Sequence, residues 1–186
     1  MTETAPDSFD VRFETTKGDF VIRARREWAP RGVDRFHRLV EEGFYDDTRF
    51  FRVIDGFVVQ FGLSGDPEEN AAWRQRTIPD DEVVTNNDRG TVTFAMAGPD
   101  TRTTQLFVNL VDNHRLDTMG FAPIGEVVEG MDVVESLHSG YGEGAPRGRG
   151  PDQSRIHAEG NAYLDEEYPE LDAIERASIV ESPDEG

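Results

Sequence analysis

Apolar and polar residues alternate along the first part of the chain. Residues 9–15 and 18–24 each follow this pattern, and the tripeptide 16–18 separates them. A period of two is typical of a strand with one buried face, and a short turn between two such runs indicates a hairpin. The sequence therefore predicts a β-hairpin whose buried face carries Val11, Phe13, Phe20 and Ile22.

The period changes to that of a helix after Ala29. Apolar residues recur at positions 33, 36, 39 and 40, Pro30 lies near the start, and Gly43 follows the last turn. Proline favours the first turn of a helix and glycine favours the position just after its end. We predict an amphipathic helix over residues 30–42. Residues 131–137, after Gly130, predict a second short helix.

Five short apolar runs lie between these helices, each bounded by Gly, Pro, Asn or Asp. They cover residues 49–54, 57–61, 90–97, 105–111 and 123–128. Many short strands favour a mainly β sandwich or barrel. Residues 62–89 and the glycine-rich residues 139–152 show no period and are predicted to be loops.

The end of the chain predicts one more helical segment. Residues 163–177 have apolar residues near helical spacing, interrupted by Pro169, and residues 177–181 are interpreted as a closing strand. The length of 186 residues favours one domain, which we place at 9–181. Residues 1–8 and 182–186 are expected to be flexible termini.

Composition excludes several classes of function. The chain has 38 acidic and 19 basic residues, a net charge of −19 and no cysteine. Thiolate chemistry and thiolate metal ligands are therefore excluded, and the charge opposes binding to nucleic-acid phosphates. The sequence lacks a signal-peptide pattern and an 18-residue apolar run, so we expect a cytoplasmic protein without membrane contact.

The basic residues comprise Lys17 and 18 arginines, against acids spread along the whole chain. Such an excess of negative charge repels itself unless salt screens it, which favours adaptation to high salt. An acidic bias in a GC-rich genome is the alternative interpretation.

Three polar residues interrupt the apolar runs. On a regular strand Arg52 would share a face with Phe50 and Ile54, an apolar setting for a permanent cation. Gln60 shares a face with Val58, and Gln105 shares one with Phe107. A structural ion pair or an exposed strand edge explains Arg52 as well as a functional role does.

The chain that contains these residues has six motifs whose sequence and order resemble the cyclophilin family of peptidyl-prolyl cis/trans isomerases. The motifs are KGDF (17–20), GFYDDT (43–48), FFRVIDGFVVQ (50–60), AMAGPDT (95–101), TQLFVN (104–109) and IGEVVEGMDVV (124–134). The resemblance implies a closed eight-stranded antiparallel β-barrel capped by two helices, here with the extra C-terminal helical segment. It also implies a groove that binds X-Pro dipeptides in unfolded or flexible polypeptides.

Site residues follow from the same resemblance. Arg52 is the implied catalytic arginine, Gln60 the amide that orients the substrate, and Phe57 a catalytic neighbour in the proline pocket. The rest of the predicted pocket and groove comprises Val58, Ala95, Met96, Gln105, Phe107, Leu116 and Phe121. The four histidines lack metal-ligand spacing, so we expect no metal and no cofactor.

Two departures from the family pattern qualify these expectations. Arg115 stands where relatives place an aromatic residue that helps to hold cyclosporin-type macrocycles, so we expect weak cyclosporin binding. Phe121 stands where relatives often have His or Tyr. We expect a monomeric isomerase. A proline-binding module or chaperone without turnover and an acidic interaction protein that uses its tail are the alternatives.

Overall fold

The computed structural model of the protein describes residues 4–145 and 147–180. Its strands are β1 (Ser8–Thr15), β2 (Gly18–Arg25), β3 (Thr48–Arg49), β4 (Arg52–Ile54), β5 (Val58–Phe61), β6 (Thr91–Phe94), β7 (Leu106–Asn109), β8 (Pro123–Glu129) and β9 (Ala173–Val180). The helices are α1 (Pro30–Glu41), α2 (Pro67–Arg74), α3 (Met131–Glu135), α4 (Gln153–Glu159) and α5 (Asn161–Glu167), and a 3-10 helix spans His114–Met119.

All nine strands of the described residues belong to one curled antiparallel sheet, in the order β3-β9-β1-β2-β8-β6-β7-β5-β4. The predicted hairpin is present as β1 and β2, with Val11 opposite Ile22 and Phe13 opposite Phe20. The two ends of the order, β3 and β4, are separated in the chain by Phe50 and Phe51. The mainly β class is confirmed. The described sheet has nine strands where eight were expected, and β3 and β4 at its two ends form no ladder that would close it into a barrel.

The main core lies inside the curl of the sheet and is rich in aromatic rings. Phe13, Phe20, Phe36, Tyr45 and Phe61 are almost wholly buried there. The pattern that predicted α1 places Val33, Phe36, Leu39 and Val40 on its buried face. Tyr45 donates a hydrogen bond to the Thr104 carbonyl at 2.9 Å, and burial raises the pKa of its phenol. A buried hydroxyl with a partner avoids the desolvation penalty that an unpaired one would suffer.

The predicted loop 62–89 contains a helix, α2, that its lack of period concealed. Asp66 caps this helix by accepting a hydrogen bond from the Glu68 backbone amide at 2.9 Å, and Pro67 occupies the first helical position. Both residues are favoured at a helix start. The signal was therefore a cap followed by proline, in a segment whose helix has few apolar residues.

The predicted helix over residues 163–177 is wrong in both bounds. Two helices, α4 and α5, occupy 153–167, and residues 173–180 form β9 instead. Pro169 forces the break, since Tyr168 has left helical geometry with φ −135° and ψ 56°. A bulge opposite Glu14 and Thr15 in β9 turns Ile174 and Ala177 to the same buried side, and this three-residue spacing imitates a helix.

Helices α4 and α5 and the residues after them contribute to a second, smaller apolar cluster, separate from the main core. We call it the C-terminal cluster; it contains Phe51, Leu63, Ile156, Tyr163 and Leu164, with Tyr168 and Leu171 packed against it. Phe51, which directly precedes β4, thus packs against helices α4 and α5. This packing fixes these helices beside the residues that the sequence singled out.

Of the two predicted flexible termini, residues 1–3 of the first and all of the second lie outside the described residues. Within the first segment, Ala5 is buried and its backbone amide donates to Asp34 Oδ1 at 2.9 Å. Among the helices in 4–145 and 147–180, none is long and apolar enough to cross a bilayer.

Candidate functional site

The strand register brings predicted site residues of three neighbouring strands into one row. Arg52 on β4 is opposite Gln60 on β5, and Gln60 is opposite Phe107 on β7. Residues opposite one another in a ladder share a face of the sheet. The three predicted site residues therefore lie side by side, although up to 55 positions separate them in the chain.

Hydrogen bonds link this row into one network. Arg52 Nη1 donates to Gln60 Oε1 at 2.9 Å, and Gln60 Nε2 donates to Gln105 Oε1 at 2.8 Å. Gln60 is buried, so both ends of its amide require partners. The network fixes the amide orientation and turns the Gln60 carbonyl oxygen toward the guanidinium.

An apolar pocket of about 180 Å³ opens beside this row. Its lining residues are Arg52, Phe57, Val58, Gln60, Ala95, Met96, Phe107, Leu116 and Phe121. The 3-10 helix supplies Leu116, and Phe121 packs edge-on against Phe107 with ring centres 5.7 Å apart. Every predicted site residue thus borders the pocket except Gln105, which contacts it through Gln60.

One expectation about Arg52 was wrong in detail. Phe50 belongs to the main core while Phe51 belongs to the C-terminal cluster, because these two residues lie between β3 and β4 and belong to neither strand. The interruption breaks the alternation, so Arg52 does not share a face with Phe50. Its guanidinium instead lies 5.8 Å from the centre of the Phe57 ring, at the rim of the pocket.

Glu143 is a site residue that the sequence interpretation missed. Its carboxylate accepts hydrogen bonds from Arg52 Nε and Nη2, each at 2.7 Å, in a bidentate pair. The arginine hydrogen bond lowers the pKa of Glu143, so the pair is ionised at neutral pH. Because 91 positions separate the two residues, no local pattern announced the contact. Arg52 thus has a structural ion pair and also borders the pocket.

Arg115 covers the outer edge of the pocket. Its guanidinium carbon lies 5.3 Å from the centre of the Phe57 ring, on a side chain carried by the 3-10 helix. A cation over an aromatic face is attracted by the ring quadrupole. Phe57 is thus in contact with two arginines, Arg52 and Arg115.

In the described part of the chain, a group of possible metal ligands lies away from the pocket. Asp88, Asp112 and His114 offer ligand atoms within 4.8 Å of one another, and all three are exposed. Exposed acids gather in this way without binding an ion, and none of these residues lines the pocket. The expectation of no metal and no cofactor stays a prediction.

The pocket is concave and mostly apolar, with a hydrogen-bonded arginine at its rim, and these features are typical of ligand-binding sites. Comparison with known proteins gives the family. The model of the cyclophilin type peptidyl-prolyl cis-trans isomerases matches residues 10–157. The chain belongs to this family, and the class of enzyme predicted from the motifs is confirmed.

Curated relatives carry the same activity in their names. Peptidyl-prolyl cis-trans isomerase B of Escherichia coli K12 is 36% identical over 135 residues, which are 68% of this chain and 82% of the relative. Peptidyl-prolyl cis-trans isomerase A of Dickeya dadantii is 33% identical over 138 residues, 72% of this chain and 73% of the relative. Both relatives are bacterial isomerases.

Solved structures agree on the fold. A cyclophilin type isomerase of Cryptosporidium parvum has a TM-score of 0.68 and 21% identity, with 95% of this chain and 99% of that chain covered. The same protein was also solved in the presence of the dipeptide Ala-Pro, with a TM-score of 0.67, 20% identity, and 93% and 99% covered. At these identities the likeness concerns the fold alone.

Proposed function

We propose that this chain accelerates cis/trans rotation of X-Pro bonds in unfolded or flexible polypeptides, with the proline ring in the apolar pocket. One observation carries the proposal: the Arg52 guanidinium is held at the rim of that pocket by Gln60 and lies against Phe57. The membership of the isomerase family supports it.

The chemistry requires no nucleophile. Resonance gives the peptide C–N bond partial double-bond character and a barrier near ~20 kcal/mol. Rotation removes that resonance and leaves a lone pair on the prolyl nitrogen. A donor held close to this nitrogen and the adjacent carbonyl stabilises the rotated bond more than either planar form, which accelerates both directions.

Each residue has a role in this proposal. Arg52 provides the donors, in the planar fork of its guanidinium. Gln60 and Gln105 orient the peptide, while Ala95 and Met96 line the groove for the residues before proline. The ring contacts Phe57, Val58, Phe107, Leu116 and Phe121, which exclude water and lower the local dielectric around the guanidinium.

A test by exchange NMR distinguishes the isomerase from a proline-binding module. A short Ala-Ala-Pro-Phe peptide is mixed with the protein, and cis/trans exchange cross-peaks report the rate without a coupling protease. Exchange faster than in the free peptide supports the proposal. Peptide shifts on binding with an unchanged exchange rate support the binding module and contradict the proposal.

We propose weak cyclosporin binding as a second property of this groove. Arg115 lies over Phe57 where the family pattern has an aromatic side chain, so a macrocycle loses one apolar contact there. Replacing Arg115 with Trp is expected to tighten cyclosporin binding about tenfold, equivalent to ~1.4 kcal/mol of aromatic contact. Tryptophan fluorescence titration measures this, with Arg12→Trp on β1 as a distant control. Equal affinity of wild type and Arg115→Trp would contradict it.

We propose adaptation to high salt from the net charge of −19. The screening length falls from ~10 Å at 0.1 M salt to ~3 Å at 1 M, so molar KCl removes most self-repulsion between surface acids. The melting temperature is therefore expected to rise between about 0.1 and 1 M KCl. An unchanged or lower melting temperature contradicts the proposal and leaves the GC-rich-genome interpretation.

Other properties of the chain also stay proposals. We propose one domain over residues 9–181. We also propose that the curled sheet closes through the chain between β3 and β4, because two residues separate these two strands. A monomeric state and a cytoplasmic location remain predictions. Size-exclusion chromatography with light scattering tests the monomer.

A further inference from the structure

The carboxylate of Glu143 occupies one complete edge of the Arg52 guanidinium. Nε and Nη2 both donate to it, while Nη1 donates to Gln60. An arginine has five N–H donors in a planar fork. Three are used by these two partners, which leaves two, on Nη1 and Nη2, for a ligand. The plane of the guanidinium is thereby fixed on two sides before a peptide binds.

A tight glycine loop holds Glu143 in this place. The Gly144 backbone amide donates to Glu143 Oε1 at 2.9 Å, and the Gly150 amide donates to the Glu143 carbonyl oxygen at 2.8 Å. A Cβ atom on Gly148 would collide with that same carbonyl oxygen. The loop thus requires glycine where the chain passes close to the backbone of Glu143.

Helix α5 and the residue after it hold this loop by hydrogen bonds. The Tyr168 hydroxyl lies 2.9 Å from the carbonyl oxygens of both Arg149 and Gly150, and the Asp152 amide donates to the Tyr163 hydroxyl at 3.0 Å. Tyr163 is buried in the C-terminal cluster, where Phe51 also packs. Phe51 precedes Arg52, so one cluster supports both members of the ion pair.

We propose that Glu143 is a positioning residue for Arg52 and that the contacts of its loop with Tyr163 and Tyr168 hold it there. The inference rests on the proposed function of Arg52. An arginine side chain has many rotamers, and a bidentate carboxylate removes much of this freedom before substrate binding. Preorganised donors at a developing charge contribute most when they need no reorganisation.

Two effects of the carboxylate oppose each other. Its negative charge reduces the field of Arg52 at the prolyl nitrogen, whereas its geometry directs the two remaining donors. The pair is partly exposed, with 22% of the Arg52 and 37% of the Glu143 side chain accessible, so solvent screens the charge while the hydrogen-bond geometry persists. We therefore expect the positioning effect to exceed the loss of field.

The test compares isomerase rates of wild type, Glu143→Ala and Glu143→Gln by exchange NMR. The control is Glu166→Ala, at an exposed position of α5. Glu143→Ala is expected to lower kcat about tenfold with KM within twofold of wild type. Glu143→Gln keeps the shape and one acceptor, and is expected to lose about threefold. A rate within twofold of wild type for both variants, or a rise in either, overturns the proposal.

A second readout separates positioning from a structural role. The Arg52 Nε–Hε NMR signal, assigned by its loss in Arg52→Lys, is expected to exchange slowly with water in wild type and fast in Glu143→Ala. In an Arg52→Ala background, Glu143→Ala should cost nothing further. An additional tenfold loss there would show that Glu143 acts elsewhere. Full activity of Arg52→Ala itself would instead overturn the proposed catalytic role of Arg52, and an unchanged exchange rate with wild type would overturn the proposed function.

Discussion

Replacing Arg52 with alanine is expected to lower the isomerisation rate roughly 10²- to 10³-fold. One preorganised donor at a developing charge contributes about 3 to 4 kcal/mol to many reactions, and each ~1.4 kcal/mol corresponds to a factor of ten. Exchange NMR on the Ala-Ala-Pro-Phe peptide measures the loss. The fold should persist, because Arg52 lies at the pocket rim with its partner Glu143 partly exposed.

Two further variants make this prediction specific. Arg52→Lys keeps the positive charge but loses the planar fork, so it should also be slow, by at least tenfold. Arg12→Ala removes an exposed arginine that pairs with Asp19 on the hairpin, and should keep the wild-type rate. Circular dichroism and peptide binding show whether each variant is folded. A rate for Arg52→Ala within threefold of wild type would exclude this arginine from the mechanism.

The largest expected effect on stability comes from Asp81. Its carboxylate lies 3.1 Å from Arg102 Nη2, and both side chains are at most 4% accessible. It also accepts hydrogen bonds from the Arg31 and Gly32 amides at the start of α1. Asp81→Ala therefore leaves a buried cation and two helix amides without this partner. Breaking a buried pair costs about 3 to 5 kcal/mol.

Thermal and urea unfolding measure this cost, and a fall in melting temperature of roughly 10 °C is expected for a chain of this size. Glu82→Ala changes an exposed neighbour and is the matched control. If the cost arises from an unpaired buried charge, adding Arg102→Met to Asp81→Ala recovers part of it. A loss below 1 kcal/mol for Asp81→Ala would contradict the explanation.

Local patterns predicted the parts of the fold that local physics determines. The hairpin β1–β2 and helix α1 follow from periods of two and 3.6 residues, since each buries one regular face. Periodicity failed at Ile174, whose near-helical spacing from Leu171 was taken for a helix although this residue lies beside a bulge in β9. It also failed at α2, where a cap and a proline carried the signal without an apolar stripe.

The site was predictable in its residues but not in its electrostatics. The six motifs contain Arg52, Gln60 and the other predicted site residues except Leu116 and Phe121, which the resemblance implied by position. The ladder joining β4, β5 and β7 places Arg52, Gln60 and Phe107 together beside the pocket. The pairing of Arg52 with Glu143 joins strand β4 to a loop 91 positions further along the chain, and no spacing rule anticipates such a contact. Its prediction requires knowledge of how α4 and α5 pack on Phe51.

One measurement tests the central claim most directly, and it is the cis/trans exchange rate of the Ala-Ala-Pro-Phe peptide with wild type and with Arg52→Ala. The two proteins are compared when each binds the same fraction of the peptide, in about 0.1 M and 1 M KCl. The account predicts fast exchange with wild type and near-uncatalysed exchange with the variant at equal occupancy of the pocket. Equal exchange rates for both proteins at equal occupancy would contradict it, because the pocket would then bind proline without help from the arginine.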